Sequence, residues 1–158
     1  PHMLAAMPYL RPVRIRAAAL GPGIPARDLL VSPQHRILIR SAIAARLFGA
    51  TEVLVAAKQL LELDGISIAE DVETAEYFHI LFDRHQVITT NGAETESLYT
   101  GPEALKSLGP AARDEILTIF PELRDLGFVP DMARPCPSGR HARKLAARHI
   151  RNHKPLVA

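Results

Sequence analysis

Apolar positions come in short runs separated by polar breaks, and most runs are strand-length. Val13-Arg14-Ile15-Arg16-Ala17 alternates apolar with basic residues, which predicts a half-exposed strand. Gly21-Pro22-Gly23-Ile24-Pro25 is a loop. Leu29-Leu30-Val31 and Ile37-Leu38-Ile39 then flank the polar break Ser32-Pro33-Gln34-His35. Pro33 has no amide proton and cannot sit in a central strand, so the pattern predicts strand, tight turn, strand. The plainest form of that prediction is a hairpin with a polar tip. Ser41 is a candidate cap and Gly49 a terminator for one or two helical turns or an irregular connection. Glu52 to Val55 reads as a strand and Ala56 to Leu61 as a short helix. Asp64-Gly65 turns the chain into the strand Ile66-Ser67-Ile68. Glu73 to Phe82, dense in Tyr, Phe, Ile and Leu, is the clearest strand signal of all. Gln86 to Thr90 forms another, Asn91-Gly92 is a hairpin turn, and Thr95 to Leu98 is an edge strand or an ordered loop.

The period changes after Thr100. Thr100-Gly101-Pro102-Glu103 fits a capping box, with Leu105 and Leu108 facing inward and Gly109 ending the helix. Pro110 opens a second helix whose Ala112, Ile116, Ile119, Phe120 and Leu123 predict one apolar stripe laid on the body. Residues 127–139 carry Pro and Gly without a periodic pattern and read as a linker. His141 to His153 predicts a basic helix with a thin apolar face (Ala142, Leu145, Ala146, Ile150), mobile or docked on an acidic surface. The organisation is therefore a lead-in over 1–12, a body over 13–126, and a Pro-rich linker with a basic tail over 127–158. Pro1-His2-Met3 reads as a cloning remnant. The fold class is mainly β, antiparallel, with C-terminal helices: α+β overall.

Composition narrows the function classes. A chain of 158 residues with 47% hydrophobic residues can bury a real core, but aromatics are only 5% and Trp is absent, so that core is aliphatic. Base stacking on aromatic side chains is correspondingly disfavoured, and no nucleic-acid-binding fold is recognisable. No apolar run reaches the length of a membrane span, and no secretory signal is visible. The single cysteine, Cys136, excludes an internal disulfide and a cysteine zinc cluster. Net charge is +2 but uneven: residues 1–131 carry 12 basic and 17 acidic side chains, and residues 132–158 carry 7 basic and none acidic. Such a tail suits phosphates, a membrane surface or the acidic body of its own protein, with a solvated tail as the plain reading; the sequence points to no membrane partner and away from a nucleic-acid one.

Two groups of residues carry candidate chemistry. Ser32 and His35, three apart across a rigid turn, can point at one substrate atom. His79, Leu81, Asp83 and His85 are spaced by two, so an unbroken strand would put them on one face. There Asp83 could orient an imidazole and raise its pKa. A metal held by His79, Asp83 and His85 is the weaker alternative, and a polar strand edge the plain one. No cofactor is called for.

Val31-Ser32-Pro33-Gln34-His35-Arg36-Ile37-Leu38-Ile39 resembles the Thr-x-x-His block of Hint domains, the self-processing module of Hedgehog proteins and inteins. Glu76-Tyr77-Phe78-His79-Ile80-Leu81-Phe82-Asp83-Arg84-His85-Gln86-Val87-Ile88 is similar to the later block of that family. Gly92 to Ser97 and the segment Gly101 to Leu105 resemble a bacterial Hint subfamily. The resemblance covers roughly Arg11 to Leu123 and implies an antiparallel Hint-like β fold.

It also implies acyl transfer. In the family a Cys at the first position of the domain attacks the preceding carbonyl, the peptide becomes a thioester, and a second nucleophile or water resolves it. Carried over, His35 takes the role of the histidine that protonates the leaving nitrogen, and Ser32 that of the threonine holding the strained bond. Ser for Thr keeps the hydroxyl and loses the methyl that restricts its rotamer. His85 matches the histidine that leads the last family strand; His79 falls where many inteins have an acidic residue. The resemblance places the nucleophile some tens of residues before Pro1, so the expectation is a chain that holds the acid/base half of the site and is inactive alone. Its partner would be its own upstream polypeptide, in a parent that could be a secreted bacterial protein. The alternative is a non-catalytic binding or assembly module on the same scaffold, dimeric through open sheet edges.

Overall fold

A computed structural model describes residues 2–101, 105–106, 108–125 and 129–158. Contacts divide the chain into two units: Pro1–Phe78 with Val87–Glu96 and Arg134–Ala158, and His79–Gln86 with Ser97–Ala133.

In the first unit the strands are β1 (His2–Met3), β2 (Val13–Ile15), β3 (Leu29–Val31), β4 (Arg36–Arg40), β5 (Glu52–Ala56), β6 (Ile66–Ile68), β7 (Thr74–Ala75), β8 (Val87–Thr90) and β9 (Ala93–Glu96). Among the described residues they form a β1-β7 ribbon, a three-stranded sheet in the order β3-β2-β6, and a four-stranded sheet in the order β5-β4-β9-β8. Every pairing between them is antiparallel. The apolar runs explain the sheets. Ile37, Leu38 and Ile39 of β4 are all buried, as are Val53, Leu54 and Val55 of β5. Val13 and Ile15 of β2 are buried while Arg14 between them is not, the period-two pattern of a one-sided sheet. The core is aliphatic, built from Val, Ile, Leu and Ala.

Helix α1 (Ala42–Phe48) follows β4 directly. The Ser41 hydroxyl accepts from the Ala44 N–H, and Gly49 closes the helix with φ 69°, a left-handed conformation that suits glycine. The Asn91-Gly92 turn has φ of 51° and 82°, the two positive values of a type I′ hairpin, and joins β8 to β9. The basic segment forms helix α3 (Gly139–Arg151), numbered after α2 of the second unit, given below. Its Ala142, Leu145, Ala146 and His149 are buried, and it packs on α1, β5 and the 3-10 turn Ala57–Gln59. The last residues also enter the core. Leu156 is buried, the Val157 N–H donates to the Leu20 carbonyl, and the Arg40 N–H donates to the Leu156 carbonyl.

In the second unit, helix α2 (Pro110–Ile119) runs into a 3-10 turn at Pro121–Arg124. The Ser97 hydroxyl accepts from the Gln86 N–H, and the Gln86 carbonyl accepts from the Ser97 N–H. The Tyr99 hydroxyl donates to the Pro130 carbonyl.

Three expectations are corrected. The strand over Glu73–Phe82 shrinks to Thr74–Ala75. Phe78, Ile80 and Phe82 are 82%, 54% and 43% exposed, so strand propensity found no half-buried surface to lie on. The run Leu29–Ile39 is not a hairpin: β3 pairs with β2, while β4 pairs with β5 and β9. The predicted stripe on the second helix is broken, because α2 ends at Ile119 and Pro121 starts a tighter turn, leaving Phe120 and Leu123 off its face. None of the residues of α2 is buried, and Ile119 is 60% exposed. The capping box at Thr100 to Glu103 lies outside the described residues beyond Gly101.

Candidate functional site: a clamped β corner

Ser32 to His35 is a tight turn whose His35 N–H donates to the Ser32 carbonyl at 3.0 Å. Such a bond brings the two Cα atoms within about 7 Å of each other. Both side chains are half-buried. β3 and β4 pair with other strands, and two carbonyls of the turn are also engaged outside it. The Pro33 carbonyl accepts from the Lys58 N–H at 3.0 Å, and the His35 carbonyl from the Ala57 N–H at 2.9 Å. The 3-10 turn at Ala57–Gln59 thus grips the corner from the side.

A carboxylate fixes the next residue. Glu96 Oε1 accepts from the Arg36 backbone N–H at 2.9 Å, and Glu96 Oε2 accepts from Arg36 Nη1 at 2.8 Å. The Glu96 side chain is 8% exposed, so this charged pair is held in a largely desolvated place and has geometric force. His35 therefore has its own N–H, its own C=O and the following N–H all tied down. Asn91 accepts from Arg27 Nε and donates to the Asp28 carbonyl, anchoring the entry to β3.

Farther along β4, Arg40 lies directly across from Glu52 on β5 and bonds it at 2.8 Å; it also reaches Glu94. Arg134 bonds the other oxygen of Glu52. These hydrogen bonds, that of Arg134 foremost, hold the Glu52 carboxyl below its usual range. The same segment lies along β5, where the Leu54 N–H donates to the Pro135 carbonyl. Next to it, Cys136 is half-buried, with Sγ 3.5 Å from the Arg134 carbonyl. Burial pushes its thiol up; Arg36 pulls it down and Glu96 pushes it up again. It stays a neutral thiol at neutral pH rather than an activated thiolate.

The predicted set His79, Asp83 and His85 lies in the second unit and does not share a face. The chain bends at Asp83 and Arg84, and His79 and Asp83 are exposed. His85 is buried, its Nδ1 accepts from the Ala133 N–H at 3.1 Å, and its ring meets Tyr99 edge-on at 5.3 Å. Its Nδ1 lone pair is thus in use, which puts the proton of the neutral ring on Nε2. Among the described residues no three His, Cys, Asp or Glu side chains are grouped to hold a metal ion. No helix is long and apolar enough to cross a membrane among those residues.

Sequence reasoning missed Glu96, the clamp, and His149, which is 1% exposed with Nε2 at 3.0 Å from Ser41 Oγ. A Ser–His pair at this distance resembles a nucleophile with its base. Here the hydroxyl caps α1 and the pair is sealed from solvent, so it is a structural tie.

The antiparallel sheets and the short helices define a mixed α+β scaffold. The family model of the Hint domain matches residues 1–102, well over half the chain, and the chain belongs to the Hint domain family. Autoprocessing is the general function of that family. No curated protein and no solved structure matches the chain.

Proposed function

We propose that this chain supplies the acid/base part of a Hint self-cleaving or splicing module. The bond it serves is the peptide bond ahead of an upstream nucleophile, and the step is an N-to-S acyl shift. His35 contacts the scissile amide and hands a proton to the leaving nitrogen; Ser32 steadies the strained carbonyl. Such general-acid help is typically worth about 100- to 10,000-fold. The observation that supports this reading most directly is the corner itself, where backbone hydrogen bonds and the Glu96 carboxylate fix the residue bearing the imidazole. Without that upstream nucleophile the chain turns nothing over.

The test is reconstitution. The upstream segment of the parent, fused to a reporter, is mixed with this chain and thiol-induced cleavage is followed. Cleavage that His35→Ala abolishes and Ser32→Ala slows supports the reading. Cleavage of equal rate with His35→Ala rejects the assigned role.

A second reading is a non-catalytic assembly module. What favours it is that β8 ends one sheet and β3 ends another, and strand edges recruit further strands. Light scattering at high concentration separates the two: a dimer supports assembly, and a monomer that cleaves on reconstitution rejects it.

A further inference from the structure

The face of α3 turned away from the core carries Arg140, Lys144, Arg148 and Arg151. At 100° per residue these four fall within about 80° of arc, on the side opposite Ala142, Leu145, Ala146 and His149. Arg140, Lys144 and Arg151 are exposed and Arg148 is half-buried; Lys154 follows just beyond the helix and is exposed. Among the described residues none of these five side chains makes an ion pair, whereas Arg14, Arg36, Arg40 and Arg134 each have a carboxylate. Like charges four apart on a helix repel by about 0.2–0.5 kcal/mol per pair. The helix dipole accounts for Arg148 and Arg151 in the last turn. It opposes Arg140 and Arg143 in the first, where no acidic residue and no capping side chain stands. The fold itself therefore has no use for the N-terminal half of this row.

We propose that α3 is a contact surface for the phosphate backbone of double-stranded nucleic acid, bound without regard to sequence. The row is long and one residue wide. From Arg140 to Arg151 it spans roughly 16 Å at 1.5 Å per residue. Each of its four basic side chains, with Lys154 as a fifth, can neutralise one phosphate of a duplex that carries a negative charge about every 1.7 Å of axis. A lipid surface is a poorer match: a bilayer-bound helix inserts its apolar face, and that of α3 is already spent on the core. The row bears no aromatic side chain on which bases could stack, and the low aromatic content of the chain bears on stacking alone. The surface belongs to a docked helix with no ordering to do, unlike a disordered basic tail.

The experiment is fluorescence anisotropy of the whole chain with labelled 20-base-pair duplexes of two unrelated sequences. Salt is varied from about 50 to 200 mM, and vesicles of phosphatidylserine and phosphatidylcholine are run in parallel. Expected is equal binding to both duplexes. The slope of log K against log salt should be near −4, a loss of roughly 250-fold over that range. Arg140→Ala, Lys144→Ala and Arg151→Ala should each flatten the slope by about 1 while circular dichroism and the melting temperature stay put. Absence of duplex binding at 50 mM salt overturns the proposal. So does a slope that these variants leave unchanged, or binding to the vesicles that excess duplex does not compete away.

Discussion

Ser41 Oγ and His149 Nε2 meet at 3.0 Å although 108 positions separate them in the chain. The other ring nitrogen, Nδ1, faces the Lys154 carbonyl at 3.1 Å. A carbonyl only accepts, so the hydrogen-bond network assigns the proton to Nδ1 and leaves Nε2 to accept from the serine hydroxyl. That hydroxyl also accepts from the Ala44 N–H. One buried imidazole thus joins the start of α1, the last turn of α3 and the chain just beyond it.

This tie makes stability pH-dependent. Burial pushes the His149 pKa below its ordinary value, against weaker pulls from the Lys154 and Pro155 backbone. The unfolded chain therefore takes up the proton first as pH falls below about 6.5. The contribution of the neutral ring is complete above that pH and is lost between it and the lower folded pKa. In urea melts from pH 8 to pH 5 the midpoint should drop through this window. His149→Gln should start lower at pH 8 and lose that part of the drop.

Removing the hydroxyl should act on both partners. Ser41→Ala takes away the cap of α1, worth about 0.5–2 kcal/mol, and strips the buried Nε2 of its donor, at a cost of about 1–3 kcal/mol. The two share one atom and will not add fully. A loss of about 2 kcal/mol in urea is expected, with Ser41→Thr recovering most of it.

The clamp on the corner is open to the same kind of test. Glu96→Ala leaves the Arg36 N–H and its guanidinium without their carboxylate and should cost about 2–4 kcal/mol. Glu96→Gln keeps an acceptor for the N–H and should cost less. Hydrogen exchange at the Arg36 amide should quicken more in the alanine variant than in the glutamine one.

A methyl group at Gly21 would strike the chain end. A Cβ there would sit 2.5 Å from the Val157 carbonyl oxygen, a backbone atom held in place by its neighbours. Gly21→Ala should therefore destabilise by about 1–3 kcal/mol. Exchange at the Val157 amide, which now donates to Leu20, should speed up well beyond the global average.

Local chemistry was readable in the sequence where it is local in the fold. Ser41 and Gly49 bracket α1, Asn91-Gly92 turns β8 into β9, and Ser32 to His35 forms the tight turn that Pro33 requires. The Hint blocks pointed to the family through such short stretches. What could not be read is whatever depends on a distant partner. Nothing near Pro33 says that β3 will choose β2, because that choice rests on how Val13 and Ile15 share a core with Leu29 and Val31. Glu96 looks like any strand carboxylate until Arg36, 60 positions earlier, is placed beside it. The apolar run through Phe82 misled for the converse reason: its propensity was genuine, and the covering surface was missing.

The hydrogen bonds from Arg40 and Val157 to Leu156 and Leu20 set a timetable for the newborn protein. A ribosome adding about 5–20 residues per second needs roughly 6–20 s to travel from Arg40 to Leu156. Throughout that interval β4 waits beside a gap that Leu156 and Val157 fill. The frame around β4 therefore closes only after residues 156 and 157 have been made, and a polypeptide truncated just before them would lack it.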